Sequence, residues 1–436
     1  MVVKAAFGAS LYEQGRGFYV TLELLALAWG TSHRDEAPAV LPARSSKEAL
    51  RVRVRGHDFA RRLVADMLPP DKAKQAFGAD ENTSPEMTVR ALLQGLIVPT
   101  NRRTAAKWGA THLYPYVGEL IHYDAVDRRT GPNIERYMMR GGGGLAHRIL
   151  RTDPNQARLA ITRSGLGILV SDSGGSLGRL AAALAEQDEA KPRDFEDLLE
   201  PGETEDLDLI GDGAKNPWVH WLRQGVANIL GRERLYQAKK IEALMHWVPY
   251  CIARYQLHCA ANVLELPSFV LPVDMQSGGS SVREASRETL AQATGAINSA
   301  LAAMAEKKDK AHLLARPKQT WREGSRAFFT GTLATVGALN APSGKRHFCL
   351  RVSLLESFVL AALAPGEELP IRRFCRRLDE EFGLAIDADA AARSPSLDFV
   401  NRADFSDNEI ALRQALRSLG MLREYSDATR MVGTFA

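Results

Sequence analysis

The acidic stretch between Glu186 and Asp212 constrains the fold of this chain more than any other feature of its sequence. It contains twelve Asp and Glu residues against two basic residues, Lys191 and Arg193, which gives it a net charge of −10. Like charges at this density repel each other, and the prolines within the stretch interrupt a helix. The sequence therefore predicts an acidic linker or loop over 186–215 that separates two folded parts.

The remainder of the chain is basic, although the total charge is close to neutral. The 436 residues include 56 Lys and Arg against 52 Asp and Glu, a formal charge of +4. Without the acidic stretch, 54 basic and 40 acidic residues remain, a charge of +14. Because positive charge on a folded surface attracts phosphates, DNA becomes a candidate partner.

The composition narrows the class of protein further. Apolar residues make up 45% of the chain and charged residues 25%, which excludes a disordered chain and a fibrous repeat. No apolar run is long enough for a membrane span. The four cysteines form no C-x-x-C pair and the first residues lack the pattern of a secretory leader, so we expect a cytoplasmic protein with reduced thiols. The usual nucleotide and metal motifs do not occur, so we expect no cofactor and no metal.

Local patterns predict a mainly α protein with small β elements (α+β) and several domains. In the first part, Ser46 is expected to cap a helix running toward Met67, and 159–162 and 167–171 have the composition of short strands. The pair Asn216-Pro217 is typical of a helix start, and Pro249 is expected to start another helix. The predicted divisions are a basic mixed α/β domain over 1–185, the acidic segment 186–215, a helical domain over 216–345 and a last domain over 346–436.

The segment 346–436 shows a recognisable order of elements. An apolar helix over 353–363 precedes a second helix over 370–382 and a polar connection over 387–405. Ser406 and Glu409 have capping-box spacing and predict the start of a third helix, after which two short strands flank a turn. Three helices followed by a hairpin resemble the winged helix-turn-helix family, which serves DNA binding and protein docking alike.

This resemblance implies that exposed arginines of the segment contact DNA phosphates. The start of the third helix carries Asp407 and Glu409, which repel phosphates, so the contacts are expected from basic residues elsewhere on the second and third helices. A solvated face and a docking surface for an acidic partner are the alternatives. The predicted contacts are Arg372, Arg373, Arg376, Arg377, Arg413 and Arg417.

Basic residues also crowd the first part of the chain, with tyrosines between them. Such a pattern is typical of proteins that bind the nucleic-acid backbone, although many arginine-rich proteins carry similar surfaces without a ligand. The candidate contacts here are Arg51, Arg53, Arg55, Arg102 and Arg103.

Two weak catalytic patterns keep an enzyme open as an alternative. His122, Asp124 and Asp127 could hold a divalent metal for phosphodiester chemistry, while a polar edge strand or turn is the simpler interpretation. Ser176 lies in a G-x-S-x-G stretch after the predicted strand 167–171, as in a nucleophile elbow, and the glycines 141–144 could form an oxyanion loop. An ordinary strand-to-helix turn explains the same residues.

A third pattern, of histidines and cysteines, favours burial over metal binding. His246, Cys251, His258 and Cys259 lie close in sequence, but a single helix would not converge them on one zinc ion.

Together these observations predict a non-catalytic, DNA-associated or adaptor subunit of a multi-protein bacterial assembly. The organisation as a whole, rather than any motif, resembles accessory proteins encoded in bacterial anti-phage defence clusters. The alternatives are a metal-dependent phosphodiesterase or nuclease, a serine hydrolase, and a protein-only scaffold. Other protein subunits are the expected partners besides the DNA backbone.

Overall fold

The chain is mainly α-helical with a few short strands, as predicted. A computed structural model describes residues 2–12, 17–34, 52–55, 125–128, 131–134, 142–171, 192–193, 216–275, 281–307, 320–425 and 429–434. Its longer helices are Tyr19–Arg34, Gly142–Arg151, Gln156–Ser171, Pro217–Leu230, Gln237–Val263, Ser281–Lys307, Thr320–Val336, Val352–Ala362, Ile371–Glu380 and Arg402–Ser418. Two short helices are Val2–Phe7 and Ala388–Arg393, and Pro395–Leu397 forms a 3-10 turn.

The helix Gln237–Val263 lies at the centre of the largest hydrophobic core. It packs against the helices Pro217–Leu230, Ser281–Lys307, Thr320–Val336 and Val352–Ala362. The core joins Val2 near the start of the chain to Val432 near its end, so residues from both sides of the predicted divisions at 185/216 and 345/346 contribute to it.

The start of the helix Pro217–Leu230 confirms the prediction made from Asn216-Pro217. The side chain of Asn216 accepts a hydrogen bond from the Trp218 N–H, and Pro217 occupies the first turn. Pro249, in contrast, does not start a helix, because it lies inside Gln237–Val263. Pro249 is buried in the core between Trp247 and Tyr250, so tertiary packing of this segment outweighs the local cost of a proline inside a helix.

Two predictions for the first part of the chain are wrong. The predicted strands over 159–162 and 167–171 belong to one helix, Gln156–Ser171, whose buried leucines Leu159, Leu166 and Leu169 follow helical spacing. The helix predicted from Ser46 toward Met67 is wrong at 52–55, which form the strand Val52–Arg55, and the rest of that prediction lies outside the described residues.

The strand Val52–Arg55 lies in the interior of a four-stranded sheet. It pairs in parallel with Ala125–Arg128 and antiparallel with Pro192–Arg193, and Gly131–Ile134 pairs with Ala125–Arg128 on the other side. Part of the acidic segment thus contributes a strand, at Pro192–Arg193.

The last part of the chain follows the predicted order of elements with three differences, which are a third strand, an earlier start of the third helix and an additional short helix. The strands Leu422–Glu424 and Arg430–Val432 form the expected hairpin, and Leu369–Pro370 pairs with Arg430–Val432 as a third strand. The third helix begins at Arg402, not at Ser406, and Asn401 caps it by accepting from the Ala403 N–H.

The difference at Ser406 has a local cause. Its hydroxyl donates to the carbonyl oxygen of Arg402, one turn earlier, and therefore does not cap the helix. The polar connection predicted over 387–405 also contains the helix Ala388–Arg393, which Asp387 caps by accepting from the Ala390 N–H.

His147 makes the stability of the fold sensitive to acid. It is fully buried in the helix Gly142–Arg151, and burial, with the charges of Arg151 and Arg148, lowers the pKa of His147 to about 3. Between a pH of about 6.5 and one of about 3, the imidazole of His147 is protonated in the unfolded chain but stays neutral in the folded chain. Protonation therefore favours the unfolded chain, and the free energy of unfolding falls as the pH falls through this range.

We expect a loss of about 2 kcal/mol from this residue between a pH of about 7 and one of about 5. Urea unfolding of the unsubstituted chain and of His147→Gln at both pH values measures it, because glutamine does not titrate. If both proteins lose the same free energy of unfolding on acidification, the acid sensitivity does not come from His147.

Candidate nucleic-acid interface

Two predicted phosphate contacts lie at the start of the helix Ile371–Glu380. Arg372 and Arg373 are exposed, and within the described residues neither makes a hydrogen bond or an ion pair. Pro370 precedes the helix and provides no side-chain cap, and the first turn carries no acidic residue. Backbone N–H groups and two free guanidinium groups therefore lie together, an arrangement that favours an anion.

The other two arginines of this helix are used within the protein. Arg376 pairs with Glu380 one turn later, at 2.7 Å, and stays exposed. Arg377 is half-buried, pairs with Glu367 at 3.0 Å and donates to the carbonyl oxygen of Ala362 at 2.9 Å. The four arginines that the sequence grouped together thus divide into two with free guanidinium groups and two that have partners.

Arg377 belongs to a structural cluster that sequence reasoning missed. At the end of the helix Val352–Ala362, Arg232 donates to the carbonyl oxygens of Leu360 and Leu363, and Asn228 donates to that of Ala361. Burial lowers the pKa of Arg232 to about 10, partly countered by the charge of Glu367. These groups satisfy carbonyl groups that a helix end leaves without partners, and their positive charge complements the helix dipole.

The third helix presents a face that is not basic. Arg413 lies 3.8 Å from Glu409, and Arg417 pairs at 2.7 Å with Glu424, whose pKa is lowered by its hydrogen bonds to Arg417 and Arg430. The exposed positions of the helix between these arginines and its start include Asp407, Ile410 and Gln414. The exposed donors Arg402 and Gln414 lie more than three turns apart, so they do not form the row of free donors that reading of base edges in the major groove requires.

Asp404 and Asn408 tie the third helix to the helical core. Asp404 accepts hydrogen bonds from the backbone N–H and the hydroxyl of Ser281. Asn408 is fully buried and donates to the carbonyl oxygens of Val273 and Ile386. The helix is therefore held in one orientation, which leaves the face around Ile410 exposed.

The basic candidates of the first part lie largely outside the described residues. Arg53 and Arg55 belong to the strand Val52–Arg55, where they are paired in register with Pro192 and Val126. Arg51, Arg102 and Arg103 lie outside the described residues.

The metal-dependent candidate is described only in part. Asp127 lies in the strand Ala125–Arg128, which pairs on both sides and so is not the edge strand of the simpler interpretation. His122 and Asp124 lie outside the described residues. Within the described ranges, no three His, Cys, Asp or Glu residues are arranged to hold a metal ion.

The serine candidate lacks the strand that precedes the serine in a nucleophile elbow. Ser176 lies outside the described residues, but the segment before it is the helix Gln156–Ser171 and not a strand. Of the glycines considered as an oxyanion loop, those at 142–144 start the helix Gly142–Arg151, and Gly141 lies outside the described residues. The Gly143 N–H donates to the carboxylate of the buried Glu23 at 3.1 Å. The Glu23 side chain therefore occupies the backbone donor at this helix start that an oxyanion loop would offer to a substrate.

The histidines and cysteines around position 250 serve packing, as predicted. His246 contacts the carbonyl oxygen of Val336 through Nδ1 at 2.8 Å. Burial raises the pKa of the Cys251 thiol and raises that of Cys259 to about 12, as expected for cysteines packed in a core.

Comparison with known protein families, characterised proteins and solved structures finds no match to this chain in any of the three. In the part of the chain that the structure describes, no helix is both long and apolar enough to cross a membrane.

Proposed function

We propose that this chain is a non-catalytic, DNA-associated subunit of a multi-protein bacterial assembly, and that its last part is a winged helix that contacts the phosphate backbone. The observation that carries the proposal is the pair of free guanidinium groups, Arg372 and Arg373, at the uncapped start of the helix Ile371–Glu380. Arginines and helix N-termini are both common donors to DNA phosphates.

The topology of the last part supports the winged-helix interpretation. The strand Leu369–Pro370 leads directly into the helix Ile371–Glu380 and pairs with the second strand of the hairpin. The proposed phosphate contact therefore lies beside the hairpin, and the hairpin has the position of the wing in a winged helix.

The charge of this part indicates a weak contact that does not depend on DNA sequence. Residues 346–436 contain 12 arginines, no lysine and 14 acidic residues, a net charge of −2. Phosphate contacts carry no sequence information, and two of them provide little affinity in an acidic surrounding. Such a contact is effective when other subunits hold the chain close to DNA, which is why we infer an assembly. That the assembly belongs to anti-phage defence is proposed from the resemblance of the chain's organisation alone.

Protein docking is the second candidate function of the same part. Ile410 on the third helix and Phe399 just before it expose 44% and 66% of their surfaces. Apolar side chains in these positions favour a protein partner over a DNA groove. A protein-only scaffold would use this face and leave Arg372 and Arg373 without a ligand.

A salt titration of DNA binding separates the two functions. We expect the unsubstituted chain to bind a labelled random duplex at about 50 mM salt, with an affinity that falls steeply as salt increases. Arg372→Ala/Arg373→Ala should weaken binding roughly tenfold and reduce the salt slope by about two, one for each lost contact. Fluorescence anisotropy measures both quantities.

The matched control removes two arginines of the same part that already have acidic partners. Arg393 pairs with Asp379 and Arg430 with Glu424, so Arg393→Ala/Arg430→Ala removes the same charge without removing a free donor. This control should keep most of the affinity and the salt slope. Absence of binding at low salt, or an equal loss in both variants, would overturn the proposed contact.

A further inference from the structure

The exposed face of the helix Arg402–Ser418 carries unbalanced charges at its two ends. Asp407 is exposed in the second turn and forms no hydrogen bond or ion pair within the described residues. Arg417 is exposed near the last residue and pairs with Glu424 at 2.7 Å, but Glu424 also pairs with Arg430 at 3.0 Å. One carboxylate thus serves two guanidinium groups, so this face has an unpaired negative charge near its start and an excess positive charge at its end.

Pairing within the helix does not account for these two charges. Glu409 and Arg413 lie one turn apart and 3.8 Å from each other, which is the spacing typical of a solvated helix face. One turn after Asp407 comes Ala411, and one turn before Arg417 comes Arg413, so neither meets an opposite charge there. The helix dipole favours a base in the last turn, but it favours an acid only in the first turn, before Asp407.

An apolar side chain lies between the two charged ends. Ile410 exposes 44% of its surface, and the neighbouring Ala403 and Ser406 are small and exposed, so a second helix can approach this face closely. The opposite side of the helix is fixed by the buried Asn408, which donates to two carbonyl groups of other segments. A face that is already rigid loses little conformational entropy when it binds a partner.

The charges of this face are complementary to themselves. Asp407 and Arg417 are ten residues, or about 15 Å, apart along the helix, and both are five residues from Leu412. A two-fold axis at the level of Leu412 places a second copy antiparallel to the first, so that the acidic start of each helix faces the basic end of the other. Ile410 then lies two residues from the axis, where the two copies come closest.

We propose that this face pairs antiparallel with the same face of a second copy of the chain, with Asp407 of each copy against Arg417 of the other. The inference rests on protein docking, the second candidate function given above, and names its partner. It does not depend on the DNA contact at Arg372 and Arg373, which belong to another helix. One helix face buries a small area, so the dimer is weak.

Analytical ultracentrifugation up to about 100 µM chain, without DNA, measures this dimer. We expect the unsubstituted chain to show a monomer–dimer equilibrium. Ile410→Asp and Asp407→Arg should each weaken the dimer at least tenfold, because like charges then face each other across the axis. Glu306→Arg is the matched control for charge reversal and should leave the dimer unchanged, because Glu306 is exposed about seven turns beyond Ser281, the residue that contacts this helix.

A mixture of two variants tests the pairing itself. Asp407→Arg alone and Arg417→Asp alone should each be largely monomeric. Mixed in equal amounts they should form a heterodimer, since every facing pair then again has opposite charges. Loss of the ion pair with Glu424 might lower the thermal midpoint of Arg417→Asp, but a purely structural role of Arg417 does not produce recovery on mixing.

The outcomes separate this interface from the proposed DNA contact. A chain that stays monomeric at every concentration overturns the proposal and assigns the face to a different partner. A dimer that Ile410→Asp and Asp407→Arg leave intact, or a mixture that stays monomeric, also overturns it. A chain that dimerises as expected but binds no duplex at low salt keeps this interface and loses the proposed DNA contact.

Discussion

Replacing Asn408 with alanine should lower the free energy of unfolding by roughly 4 kcal/mol, because each buried backbone group that loses its partner costs about 1–3 kcal/mol. The Asn408 side chain is fully buried between three segments of chain. It donates to the carbonyl oxygens of Val273 and Ile386 at 2.7 and 2.8 Å and accepts from the Met275 N–H. Alanine leaves all three groups without a partner and also leaves a cavity.

Urea unfolding of three variants tests whether the hydrogen bonds carry this effect. Asn408→Asp keeps the shape and an acceptor for Met275 but loses both donors, so it should be destabilised as strongly as the alanine variant. Gln414→Ala, at an exposed position of the same helix, should change the free energy of unfolding by less than about 0.5 kcal/mol. A loss below about 1 kcal/mol for Asn408→Ala would show that the neighbouring backbone groups find other partners.

The importance of Asn408 could not be predicted from sequence. Its partners Val273 and Met275 are more than a hundred positions away, and no local pattern indicates them. The available signal was a polar residue on the apolar face formed by Phe405, Leu412 and Leu416. Recognising that signal required the correct start of the helix, which the capping-box interpretation of Ser406 misplaced.

Local signals predicted the fold where the local chemistry was unambiguous. Asn216-Pro217 and the hairpin around 426–428 depend on contacts within a few residues, and both form as expected. The helix Gln156–Ser171 was read as strands because Ile161 and Ile168 have high strand propensity. In the structure these two isoleucines are about half exposed, whereas Leu159, Leu166 and Leu169 are buried, so helical packing overrides the strand propensity of the isoleucines.

The candidate interface also shows that the sequence locates basic residues but does not reveal which of them have partners in the folded chain. Sequence identified the arginines of the helix Ile371–Glu380 but could not distinguish Arg373 from Arg377, four positions later. The difference comes from Glu367 and from the carbonyl group of Ala362, which reach Arg377 only after the preceding helix has packed. Which arginine keeps a free guanidinium group is therefore a tertiary property.

A single methyl group added at Gly225 should lower the free energy of unfolding by about 3 kcal/mol, since overpacking a rigid core typically costs about 1–3 kcal/mol or more. Gly225 lies where the helices Pro217–Leu230 and Gln237–Val263 cross, and its Cβ would overlap the indole ring of Trp247, with Cζ2 at 2.8 Å. Trp247 is fully buried and packs edge-on against Phe358 and Phe382, so the ring has no space to move into.

The same substitution at Gly295 should have the opposite sign. Gly295 lies inside the helix Ser281–Lys307, and its Cβ would meet nothing within 4 Å. Gly295→Ala should therefore stabilise the chain by about 0.5–1 kcal/mol, the difference in helix propensity between the two residues. Urea unfolding of both variants measures the contrast, and equal effects would show that propensity, not the crossing of the helices, determines the outcome. Because Trp247 contacts both Gly225 and the ring of Phe358, Gly225→Ala should also destabilise the packing between the central helix and the last part of the chain, which carries Arg372 and Arg373.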